Sequence, residues 1–94
     1  MINDPHRALK VALAGYLGSI EQVEAKTVDW SSATFVGMRH ELSFLTSASA
    51  PLIEALGEID LPMRGHFVAD LVVIETSAME GRTMVSIEAL TICE

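Results

Sequence analysis

From Arg64 to Glu94 two runs rich in Val, Ile, Leu and Phe flank the turn-forming stretch Ala78-Met79-Glu80-Gly81-Arg82. Alternating apolar runs around such a turn read as one long β-hairpin. Both of its faces carry large apolar residues, so neither can simply face water. With Met79-Glu80-Gly81 as a three-residue loop, Phe67 pairs with Cys93, Ala69 with Thr91, Leu71 with Ala89, and Val73 with Ile87. That face is almost wholly apolar and suits a position under helices. The opposite face then carries Val68, Val72, Ile74, Met84, Leu90 and Ile92, with His66, Asp70 and Glu88 set among them. A slip of one residue would mix the two faces.

The rest of the chain has to supply a cover for one of these faces. Asp4 is a good helix N-cap and Pro5 fits the first helical position, where its missing N–H costs nothing. Leu9, Leu13, Tyr16, Leu17 and Ile20 follow at helical spacing. Two endings compete. Good helix formers from Glu21 to Ala25, and the three-residue step from Ile20 to Val23, carry the helix to about Ala25. Gly15 and Gly18, each costing about 1 kcal/mol relative to Ala, offer an earlier stop with a strand from Ile20 to Val28. The longer helix is the favoured reading.

From Thr27 to Thr46 the period changes to two. With Phe35-Val36-Gly37 as a turn, Trp30 faces Leu42 and Val28 faces Phe44. A rival reading has one strand from Ala33 to Leu45 with Gly37 as a bulge. Ser49 then caps a short second helix that turns Leu52, Ile53 and Leu56 to the core and ends at Gly57.

The element order is helix–strand–strand–helix–strand–strand. It predicts a single α+β domain over residues 1–94, a four-stranded, mainly antiparallel sheet with two helices on one face. This αββαββ order is a circular permutation of the ferredoxin-like order, a relation of topology only. Gly37 and Gly81 lie 44 residues apart in matching expected turns, as a duplicated αββ unit would place them. Beyond Val28 and Val72, little else agrees at that offset.

Composition narrows the function classes. The net charge of −7, with six basic residues scattered along the chain, sets an overall field that repels a phosphate backbone, so nucleic acid is not expected as a partner. No stretch reaches the ~18–20 uncharged residues of a membrane span. Val11–Ile20 follows Arg7 and Lys10 as a signal peptide would. What comes next is Glu21, Glu24 and Lys26 rather than a small-residue cleavage pattern, so an amphipathic helix is the better reading. A single cysteine allows no internal disulfide framework and fits a cytoplasmic location.

Candidate chemistry is sparse. In the Arg39-His40-Glu41 run, neighbours along a strand point to opposite faces, so the three cannot act as one group, and His40 reads as a half-buried, locally bonded histidine. Asp70 and Glu88 fall on a diagonal of the hairpin, about 7–8 Å apart by Cα. His66 shares their expected face but lies about 13 Å along the strand from Asp70, too far for a direct bond. The three are weak candidates for catalysis and read more readily as a polar seam. His6, His40, His66 and Cys93 show no metal-ligand spacing, and no cofactor motif occurs. Cys93 reads as a small core residue, and Trp30 and Phe44 as core or interface anchors.

Half the residues are hydrophobic and the mean hydropathy is +0.38, much apolar surface for so small a domain. The expectation is a non-catalytic interaction domain whose second sheet face, Val68, Val72, Ile74, Leu90 and Ile92, is covered by a second copy in a two-fold dimer. Such a domain could equally be one subunit of a larger assembly; the alternatives are a small-molecule sensor or carrier, or a small enzyme using His66, Asp70 or Glu88.

Overall fold

The computed structural model describes residues 4–94. Helix α1 (Pro5–Leu17) leads into strands β1 (Glu21–Ser31) and β2 (Val36–Thr46). A one-turn helix α2 (Ala50–Glu54), extended by a 3-10 turn over Ala55–Gly57, leads into β3 (His66–Met79) and β4 (Arg82–Cys93). All four strands form one antiparallel sheet in the order β1-β2-β4-β3. The α+β class and the αββαββ order are as the sequence predicts. No helix among the described residues is long and apolar enough to cross a membrane.

Local chemistry explains where α1 starts and stops. The Asp4 carboxylate accepts from the backbone N–H groups of His6 and Arg7, at 3.0 and 3.3 Å. Pro5 has no N–H to leave orphaned, so the carboxylate satisfies the free donors at the second and third helical positions. The helix ends at Leu17, not near Ala25. Gly18 takes φ 98° and returns its N–H to the Ala14 carbonyl, a conformation that favours glycine. The Thr46 hydroxyl then donates to the Ser19 carbonyl at 3.0 Å and holds the chain where β1 begins. The helix-forming residues from Glu21 to Ala25 are drawn into a strand by pairing with β2, a tertiary gain that outweighs weak local propensity.

Helices cover one face, and the two central strands supply most of the core. His40, Leu42, Phe44 and Thr46 of β2 are buried there beside Val85, Ile87, Ala89 and Thr91 of β4. Leu9, Leu13 and Leu17 of α1, with Ile53, Leu56 and Leu61, close the layer from above. Leu52 turns outward instead of inward, and its carbonyl accepts from the Tyr16 hydroxyl at 2.9 Å.

The register departs from expectation in both hairpins. In the first, the connection is Ser32–Phe35, held by the Ser32 hydroxyl accepting from the N–H groups of Thr34 and Phe35. Trp30 therefore pairs with Gly37 and Val28 with Arg39, not with Leu42 and Phe44. Gly37 lies within β2, neither in a turn nor at a bulge, so the two αββ units do not share matching turns. A Cβ at Gly37 would collide with the Thr91 carbonyl of β4, which is why this position holds a glycine.

In the second hairpin the turn has two residues, Glu80 at φ 45° and Gly81 at φ 83°, between the paired Met79 and Arg82. Both positive φ values mark the primed turn that suits the strand twist. Bulges between Val68 and Asp70 and between Val73 and Glu75 then shift the register twice. Only the stretch between them keeps the expected pairs, Leu71 with Ala89 and Val73 with Ile87. Before the first bulge the faces exchange: His66 and Val68 turn to the helix side, and Phe67 turns out to pair with Ile92. Cys93, at the end of β4 past the helical cover, is exposed rather than in the core.

Candidate functional site

The face of the sheet away from the helices is uncovered. Its residues follow from the pairing, since partners across a ladder share a side. One end is a band of Trp30, Gly37, Ile92 and Phe67 running across all four strands. Next comes Val28, Arg39, Leu90 and Asp70, then Lys26, Glu41, Glu88 and Val72. Beyond these lie Glu24, Ser43 and Ser86, with Ile74 and Glu75 at the second β3 bulge. The hydroxyls of Ser43 and Ser86 bond each other at 2.8 Å.

Val28, Phe67, Val72 and Ile74 on this face are 43–54% exposed, an unusual outlay of apolar surface for a small domain. Of the residues expected to form an interface, Val72, Ile74 and Leu90 lie here. Ile92 lies here too but is buried, its side chain resting over the notch at Gly37. Val68 does not belong: the bulge before Asp70 turns it to the helix side, where it packs against the core. Phe67, Trp30 and Val28 replace it. Sequence periodicity could not place Phe67, because the bulge in β3 reverses the inside–outside alternation without leaving an apolar-pattern signal, and Trp30 and Val28 follow from a first turn at Ser32–Phe35 rather than at Phe35–Gly37.

The polar candidates divide in the same way. Glu88 pairs with Val72 and lies diagonal to Asp70, both exposed on the open face. His66 is buried on the opposite face, and its Nε2 has no hydrogen-bond partner among the described residues. The strand bulge thus separates the imidazole from the two carboxylates, and the three do not converge on one point. Two hollows mark the open face. One, of about 230 Å3, is lined by Val28, Arg39, Asp70, Val72, Glu88 and Leu90. The other, of about 350 Å3, sits over Ser43 and Ser86 between Glu24, Lys26 and Ile74.

Charge on this face is unbalanced. Glu21, Glu24, Glu41, Asp70, Glu75 and Glu88 share it with the cations Lys26, Arg39 and Arg82, leaving an excess of three negative charges. Lys26 pairs with Glu41 at 3.9 Å and Arg82 with Glu21 at 3.1 Å. Arg39 has no ion-pair partner among the described residues.

A second polar feature lies under the helix. The Thr91 hydroxyl donates to the Met38 carbonyl at 3.4 Å, so its oxygen accepts from His40 Nε2 at 2.9 Å. His40 Nδ1 is then a bare acceptor, and His6 Nδ1, 3.2 Å away, must carry the proton between them. The two rings are inclined by only 13° with centroids 5.4 Å apart. That separation is the N···N distance plus two ring radii, so the nitrogens meet nearly head-on. Burial pushes the His40 pKa down to about 4, with His6 adding to the effect. Burial, then Lys10, lowers that of His6 against the opposing pull of Asp4. His40 is thus bonded to partners 34 and 51 residues away and not half-buried with local bonds. The head-on lone pair and proton make this a structural clasp between α1 and the sheet rather than a cradle for an added group.

No protein-family model, curated protein or solved structure matches this chain.

Proposed function

We propose that the chain is a non-catalytic interaction domain that associates with further copies of itself through the open face of its sheet. The supporting observation is the set of half-exposed apolar residues, Val28, Phe67, Val72 and Ile74, collected on a face that the domain's own helices do not cover. Leaving them in water forgoes about 25 cal/mol per Å2 of apolar area, a term that association recovers. Enzymatic use of the face is the weaker reading. His66 is on the other side of the sheet, and the exposed Asp70 and Glu88 lack the desolvation that shapes catalytic carboxylates. A sensor or carrier role is weaker too, because the hollows are shallow and rimmed by charge, unlike the mostly apolar, enclosing pockets that hold small ligands.

Size-exclusion chromatography with light scattering is the test. A mass above that of the monomer at tens of micromolar is expected, and a clean monomer refutes the proposal. Asp70→Asn should alter the strength of association and nothing else; a change in turnover or in binding of any small molecule would return the enzyme or carrier reading to the front.

A further inference from the structure

The acidic excess of the open face bears on what covers it. A two-fold axis would lay that face on its own copy, three surplus negative charges against three, and like charges brought together at an interface cost affinity. The opposite sign appears elsewhere on the same molecule. Within Pro5–Leu17 the only formal charges are Arg7 and Lys10. Asp4, the acidic neighbour, is held by the first-turn N–H groups it caps. Arg7 has no ion-pair partner among the described residues, and Lys10 donates to the neutral Gln22 side chain at 2.8 Å.

Beside these cations stands Val11, 65% exposed, at the lip of a hollow of about 350 Å3 that Arg7, Lys10, Ala14 and Ile20 also line. Arg7, Val11, Gly15 and Gly18 succeed one another along the outer side of α1, all exposed. At Gly15 and Gly18 nothing rises above the backbone to hold a flat surface away.

We infer that the open sheet face of one copy receives the outer side of α1 from a second copy. Val11 enters the hollow lined by Val28, Arg39, Leu90 and Val72, and Arg7 and Lys10 meet Asp70 and Glu88 on its β3–β4 side, away from the strand that carries Arg39. This rests on the proposed self-association through the open face and names its counterpart. Such a contact is heterologous: each copy keeps one unused α1 and one unused sheet face, so assembly continues past two chains until it closes or runs on.

Charge reversal at exposed positions tests it, with circular dichroism confirming that each variant folds. One variant carries Arg7→Glu and Lys10→Glu, the other Asp70→Lys and Glu88→Lys. Each alone should associate at least about tenfold more weakly than wild type. Mixed in equal amounts they should assemble together, because each then offers the other a complementary charge pair. Wild-type association should also weaken between 50 mM and 0.5 M salt, on the order of the screening expected. If wild type is a monomer, the inference and the proposed function both fall. If wild type associates but Arg7→Glu/Lys10→Glu does not weaken it, the inference alone falls and the open face meets its own kind; Asp70→Lys/Glu88→Lys would then tighten association. Failure of the mixture to assemble overturns the inference as well.

Discussion

Acidification should destabilise this domain through His40, and the size of the effect can be worked from its surroundings. The imidazole is 1% exposed, and its one spare nitrogen already accepts the proton that His6 offers. Burial first, and the neighbouring His6 second, disfavour a proton on His40 in the folded state, so its pKa falls to about 4 from an ordinary value of 6.5. The unfolded chain binds protons near pH 6.5, while the folded chain resists until about pH 4. Stability is therefore complete above about pH 6.5 and is lost as pH falls from there toward 4. The full shift corresponds to a ceiling of about 3 kcal/mol at about 1.4 kcal/mol per pKa unit. Screening through the half-open side toward His6 reduces it, and the portion lost between about pH 7.5 and 5 is about 1–2 kcal/mol.

Urea unfolding at those two pH values measures the loss. His40→Gln supplies the control, since its side-chain N–H can still reach the Thr91 hydroxyl while nothing titrates. The variant should start less stable and lose about 1–2 kcal/mol less than wild type on acidification. Equal losses in the two proteins would refute the reasoning, because the pH dependence would then arise from groups other than His40.

Two further substitutions probe the backbone devices. Gly37→Ala places a Cβ against the Thr91 carbonyl and should cost about 2–3 kcal/mol, seen as a fall in the urea midpoint without a change in slope. Glu80→Asn relieves the left-handed φ of 45° in the second hairpin turn and should add about 0.5–1 kcal/mol, read as a rise in Tm.

Much of the architecture was legible along the chain. The Asp4-Pro5 start, the 3.6-residue stripe through Leu9, Leu13 and Leu17, and the alternating runs around Gly81 each carry their own local cause. With the period-two pattern up to Thr46 and the short helix begun at Ser49, they suffice for two helices and four strands, for a helix-covered face, and for a second face with too much apolar surface. The end of α1 was harder, because the residues after Gly18 are sound helix formers. They become β1 only by pairing with β2, a partner some twenty residues on.

What the tertiary structure alone decided are the features that depend on distant contacts. Two bulges in β3 each shift the register by one residue, and the first exchanges His66 and Val68 for Phe67, yet they leave no trace in apolar periodicity. Gly37 looks like a turn residue until β4 is laid beside it. His6, His40 and Thr91 are far apart in sequence and form one proton-ordered chain only when helix and sheet meet. The open hairpin face was visible from residue types, but its true membership and its acidic excess arise from the pairing of four strands, since only a register in three dimensions tells which side chains share a surface.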